Sequence, residues 1–234
     1  MDFDRALKAA QRDAGSRGVG TLAEKTLHLT MKYLFAPDAE THEKPIGAHI
    51  ADALTEDGVI EVQTRSLYRL KPKLEEYLQT HPVTVVYPIA ASTTLIRVNE
   101  NGEYLGSRRS PKHETVYTAM GEIYHLRKYF REPGFRLAVV SLEMNAYLLE
   151  GAAKGKRKLD REPTALTDLR MLHSPADFKA LLPELPAEFS VKELAAALHT
   201  EPDAARAFLG ILHEMGAAVS EKREKRVKIW RILP

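Results

Sequence analysis

Cysteine is absent from the 234 residues of the chain, which excludes a disulfide framework, a thiolate nucleophile and any Cys-ligated zinc or iron–sulfur centre. A metal site here would use oxygen or imidazole ligands, and the absence fits a reducing cytoplasm. Long apolar runs are missing too. The longest, Leu137 to Leu142, is far too short to span a bilayer, and no basic segment followed by an apolar stretch opens the chain. A soluble, unprocessed, cytoplasmic protein is the expectation. The nine histidines form no His-x-x-x-His pair or His-Glu-x-x-His run, no glycine-rich phosphate loop occurs, and no hydroxyl sits in a nucleophile elbow. A large excess of one charge is also lacking, since the net charge is +2. The cations are nevertheless clustered, at Lys154 to Lys158 and Lys222 to Lys228.

The stretch from His49 to Thr64 reads as two strands folded back through Asp57-Gly58, because both residues accept the positive φ of a tight hairpin turn. A loop at Asp57-Gly58 puts Leu54 opposite Glu61 and Asp52 opposite Gln63; a loop at Glu56-Asp57 puts Asp52 opposite Glu61. In either register Asp52, Glu61 and Gln63 share one face. Two carboxylates within roughly 5 to 8 Å on a sheet face make a poor structural pair and a good cation site. Glu61 also interrupts Val59-Ile60-Glu61-Val62, a strand with the look of burial on both sides, where an acid needs a partner.

Ahead of the hairpin, Thr21 to Phe35 has helical spacing, and Glu24 lies within roughly 20° of Met31 on its apolar stripe. After the hairpin, Ser66 to Gln79 reads as a helix that Pro72 breaks or restarts at Leu70-Lys71. Val83 to Ile89 is a buried strand, Leu95 to Val98 and Glu103 to Leu105 a second hairpin, and Ser107 to Lys112, with Arg108 and Arg109, a basic loop. Thr115 to Phe130 is an amphipathic helix and Phe135 to Leu149 a core strand or strand pair. Gly151 to Pro163 breaks the pattern with Gly, Lys and Arg, which divides the chain into a domain at 1–150, a basic linker at 151–174 and a small domain at 175–234.

The small domain reads as a helix from Pro175, a second capped by Ser190 with Glu193 in a capping box, and a third from Glu201 to Gly216. Ala217 to Ser220, a charged turn and a closing strand from Arg226 follow. Three helices and a ribbon in about sixty residues resemble a winged helix-turn-helix domain. Its third helix, with Glu201, Asp203, Ala204, Ala205 and Phe208, makes a poor base reader. The wing, Lys222, Arg223, Lys225, Arg226 and Lys228, suits phosphate better.

The order helix, hairpin, helix, strand, with Glu24, Asp52 and Glu61-Val62-Gln63 in their places, resembles the PD-(D/E)xK (restriction endonuclease-like) nuclease superfamily. That resemblance implies an α/β fold, a mixed β-sheet flanked by helices. It makes Asp52 the family's aspartate, Glu61 the first residue of its acidic-x-lysine element and Glu24 a helix-borne acid. It further implies Asp52, Glu61, Glu24 and Gln63 as catalytic residues, Mg2+ or Mn2+ on the three acids, and hydrolysis of phosphodiesters in DNA. Position 63 departs from the pattern, because glutamine brings no charge and cannot move a proton; Lys71 or Lys73 on the next helix could supply the missing cation. DNA contacts would fall mainly on phosphate, through the wing and Arg108 and Arg109, and two-stranded cutting would favour a homodimer. The alternative is an inactive nuclease-fold protein that binds nucleic acid or regulates.

Overall fold

The computed structural model describes residues 2–16, 26–150, 157–224 and 227–234. Helices α1 (Phe3–Ser16) and α2 (Thr26–Phe35) pack on each other. Strands β1 (His42–Ile46), β2 (His49–Thr55) and β3 (Gly58–Val62) follow as an antiparallel meander. A 3-10 turn, Leu67–Leu70, leads into α3 (Lys71–Tyr77), and Pro72 stands in its first turn, where the missing N–H has no helical partner to lose. The expected restart at Leu70-Lys71 is therefore present.

Strand β4 (Val83–Val98) runs parallel to β3, and β5 (Tyr104–Arg109) turns back antiparallel along its distal half. Helix α4 (Met120–Ile123) continues as a 3-10 segment, Tyr124–Arg131. Strand β6 (Phe135–Leu149) lies parallel to β4, and β7 (Arg157–Leu172) closes the far side antiparallel to β6. The seven strands take the order β1-β2-β3-β4-β6-β7, with β5 on β4.

Both faces of this mixed sheet are covered by helices, so the chain is an α/β protein. Ala53, Ile60, Val62, Val86 and Ala138 pack with Leu27, Met31 and Leu34 of α2. On the opposite face Val59, Val83, Val85, Leu137 and Val139 cluster with Leu70, Leu74, Met120 and Leu126. Each of the Val, Leu, Ile and Met side chains contributes about 1.5–3 kcal/mol when taken fully out of water.

Several expectations are corrected. The segment before the hairpin, which shows no apolar pattern, is strand β1: its outer edge is open to water, so it carries charge and Pro45. The strand at 83–89 and the hairpin strand at 95–98 are one, β4, with a bulge between Ala90 and Ser92 absorbing the polar middle. The segment 151–174 is not a linker where it is described, because β7 pairs with β6 from Leu137 to Leu149. Its alternating charges sit on an edge strand. Arg108 and Arg109 belong to β5 and not to a loop.

The remaining chain holds α5 (Pro175–Lys179), β8 (Phe189–Ser190), α6 (Val191–Ala197), α7 (Pro202–Glu214), β9 (Ala218–Glu224) and β10 (Val227–Ile232), with a second sheet ordered β8-β10-β9. Ser190 and Glu193 form the expected capping box, and Ser174 and Asp177 form another. This unit is packed directly onto the first. Phe178 stacks edge-on to Phe130 at 4.8 Å and lies 6.4 Å from Phe208 of α7, while Arg131 Nε donates to the Glu214 carbonyl at 2.6 Å. Helix α7 buries Ala205, Phe208, Leu209, Ile211 and Leu212, and it contacts α4 and the 3-10 segment after it.

Candidate acid and lysine site on strand β3

The ladder between β2 and β3 pairs Ala53 with Ile60, Leu54 with Val59 and Thr55 with Gly58. The turn is thus Glu56-Asp57, the second of the two registers, and Gly58 carries the positive φ of 115°. A Cβ at Gly58 would lie 2.3 Å from the Pro82 carbonyl oxygen, so the site's strand is held against the chain entering β4 by a close approach only glycine permits.

Beyond the last pair the Val62 amide donates to Asp52 Oδ2 at 2.7 Å. The aspartate carboxylate thereby stands in for a strand neighbour. Nε2 of His28 on α2 approaches the same oxygen at 3.3 Å and the Val62 carbonyl oxygen at 3.1 Å. Both partners are acceptors, so Nε2 is the protonated nitrogen. Asp52 Oδ1 makes no hydrogen bond among the described residues.

Glu61 is only 2% exposed. Burial first, and then the neighbouring charge of Asp52, pushes its carboxyl up to about 7, against the opposing pull of Lys73. The Lys73 ammonium lies 2.9 and 3.0 Å from the two Glu61 oxygens and donates to the Ile50 carbonyl at 2.8 Å. Tyr77 on the same helix is fully buried, and burial together with the charges of Glu61 and Asp52 raises its phenol. The face therefore gathers two acids, one ammonium and one phenol.

Of the expected residues, Asp52 and Glu61 are brought together. Gln63 lies just past the end of β3, and its side-chain amide donates to the carbonyls of Arg65 at 2.6 Å and Ser66 at 3.3 Å, so it pins the following loop. Glu24 lies outside the described residues, as do Lys225 and Arg226. Lys222 and Arg223 lie on β9 in register with Ile229 and Lys228. Lys228 is exposed, its ammonium 4.4 Å from the centre of the Trp230 ring. Arg108 and Arg109 are exposed on β5, far along the sheet from Glu61.

His28 escaped notice in the sequence. His49, the histidine adjacent to the acids in the chain, instead faces Glu76 at 3.5 Å. The available signal was position: His28 lies four residues after Glu24 in a stretch of helical spacing just ahead of the hairpin.

Among the described residues no group of three or more histidine, aspartate or glutamate side chains converges as a metal cage. Two carboxylates suffice for a magnesium ion, which keeps several waters and takes its remaining ligands from substrate phosphates. The two carboxylates on hand are Asp52, whose Oδ2 takes the Val62 amide, and Glu61, whose two oxygens are both held by Lys73.

Fold and site together define a mixed α/β protein with a buried acid and lysine cluster at the point where an antiparallel meander meets parallel strands. The chain belongs to the family described as Domain of unknown function (DUF8091), which matches residues 25–174. That span ends with β7, so it coincides with the seven-stranded unit. An uncharacterized protein of Treponema pallidum (strain Nichols) is 27% identical over 227 residues, covering 92% of this chain and 88% of its own. No solved structure matches the chain significantly.

Proposed function

We propose that the protein is a metal-dependent nuclease of the PD-(D/E)xK type, with Asp52 and Glu61 as metal ligands and Lys73 supplying the charge that Gln63 lacks. One observation carries the reading: the Lys73 ammonium, reaching in from α3, sits against both oxygens of Glu61 beside Asp52. Helix, three-stranded meander, helix and parallel strand in that order also support it.

A magnesium or manganese ion held by Asp52 and Glu61 would lower the pKa of water at the phosphodiester and offset charge on the phosphate. Glu61 must be ionised to hold it, and Lys73 favours that form. His28 and the Val62 amide occupy Oδ2 of Asp52, which leaves Oδ1 as the oxygen to meet a metal. Lys73, 28% exposed, lies where it can stabilise growing negative charge on a substrate oxygen.

The order helix, strand, helix, helix, hairpin supports a winged-helix reading of the C-terminal unit. Because α7 is packed on α4, DNA contact would fall to the hairpin around Lys228, and binding would weaken steeply with salt. The test is incubation with plasmid and magnesium or manganese. Cleavage by the natural chain, lost in the Asp52→Ala Glu61→Ala double variant and reduced at least ~100-fold in Lys73→Met, supports the reading. DNA binding in both with cleavage in neither would establish the inactive, nucleic-acid-binding alternative.

A further inference from the structure

A cavity of about 360 Å³ lies on the face of the sheet that α3 and α4 cover, with Tyr87 and Ile89 of β4, Ala119 and Glu122 of α4 among the residues that line it. It adjoins the acids. Val85 is in register with Glu61, and Tyr87 follows two residues later on the same face, about 7 Å further along β4. Leu67, just past the loop that Gln63 pins, donates its amide to Glu122 Oε2 at 3.0 Å.

Most polar groups around the cavity are spent. Glu114 accepts the Ala90 amide at 2.9 Å and faces the exposed Lys112 at 3.2 Å. The Thr118 hydroxyl donates to the Thr115 carbonyl at 2.9 Å and accepts the Thr115 amide at 2.8 Å, and Nδ1 of His113 meets the Ala91 carbonyl at 2.9 Å. Two groups are open. Tyr87 is only 9% exposed, yet its hydroxyl makes no hydrogen bond among the described residues, and neither does Glu122 Oε1. A buried phenol without a partner is costly unless something in the cavity completes it. Burial and then the charges of Glu122 and Glu114 push this phenol up to about 12, against the pull of Arg161, so it remains a donor. Charges of both signs surround it, and the cavity therefore selects by hydrogen bonds more than by net charge.

The open groups are one donor, the Tyr87 O–H, and the acceptors of the Glu122 carboxylate, whose oxygens each take more than one hydrogen bond. Among the nucleobases only guanine presents the matching series on its Watson–Crick edge, a carbonyl oxygen followed by an N–H and an amino group. A guanidinium has donors alone and leaves the phenol proton unmatched. Ile89 and Ala119 give the apolar wall that a planar base needs. We propose that this cavity takes a guanine base turned out of the substrate strand, with its N1–H and 2-amino group on Glu122 and its O6 on the Tyr87 hydroxyl. The proposal rests on the nuclease reading for the strand that carries the base, but not for the binding of guanine itself.

The test is isothermal titration calorimetry of the full chain in EDTA with the 5′-monophosphates of guanosine, inosine and adenosine. The inosine nucleotide lacks the 2-amino group and should bind roughly ten- to hundredfold more weakly than the guanosine nucleotide, and the adenosine nucleotide more weakly still. Glu122→Gln should weaken guanosine binding by a similar factor and abolish its advantage over inosine. Tyr87→Phe keeps the ring and should weaken guanosine and inosine binding alike, roughly three- to tenfold, which keeps the test valid if the Glu122 variant fails to fold. Equal binding of the three nucleotides, binding of none, or unchanged guanosine binding in both variants overturns the proposal. So does agmatine, a guanidinium cation, if it binds more tightly than the guanosine nucleotide and loses that affinity in Glu122→Gln. The Asp52→Ala Glu61→Ala variant should bind the guanosine nucleotide as the natural chain does. If guanosine is preferred while the natural chain cleaves nothing, the pocket stands and the nuclease reading falls; if the natural chain cleaves but prefers no nucleotide, the reverse holds.

Discussion

A carboxyl on a strand buried from both sides is the most informative residue in this molecule. Folding raises the Glu61 carboxyl from the ordinary 4.5 to about 7, so the folded state binds the proton more tightly than the unfolded state does. Stability contributed this way is present below about pH 4.5 and is lost as pH rises through about 7, by at most about 3 kcal/mol. Glu61→Gln should therefore gain on the natural chain as pH rises from 5 to 8, read as a difference in urea midpoint at the two values. Lys73→Met removes a cation that pulls this carboxyl down, and should steepen the loss of stability toward pH 8. At this scale the sequence was legible for the acids, because alternation alone puts Asp52 and Glu61 on one face. The partners of Gln63 were not legible, since nothing in its spacing shows that its amide is spent on two loop carbonyls, and His28 depends on how α2 crosses the sheet.

Elements tell a different story, in which glycine and edge position decide what a pattern can show. A methyl group at Gly210 of α7 would lie 2.6 Å from Cε2 of Tyr124. Gly210→Ala should cost about 1–3 kcal/mol through overpacking, despite alanine's better helix propensity, and thermal unfolding against the natural chain would show it. The same substitution at Gly121, which has nothing within 4 Å of its added Cβ, is the matched control and should be neutral or stabilising. The helices and buried strands were readable because apolar spacing is imposed by a face that must be covered. Strands β1 and β7 were not, because each has an open edge and can be written in charged residues. The length of β4 was hidden by the polar run after Ile89, which the bulge accommodates.

For the whole molecule, the packing of Phe130, Phe178 and Phe208 joins what composition divides. Apolar surface buried between the two units makes each depend on the other, so heating should give one cooperative transition instead of two. A chain truncated after residue 174 should expose Phe130, lose several kcal/mol and aggregate, as calorimetry and light scattering would detect. The change of composition at Gly151 to Pro163 runs into β7 and marks no division of the fold there, and the packing of the C-terminal unit was not legible, since it depends on which faces of α4 and α7 meet. Strand β4 has one more consequence. Val85 sits in register with Glu61 and Thr94 with Arg109 on the same edge, and the nine residue steps from one to the other form a fixed ruler of about 30 Å. A duplex touching both marks would be roughly nine base pairs long. Shorter oligonucleotides would gain nothing from Arg108 and Arg109, and a length series with and without those arginines measures the ruler directly.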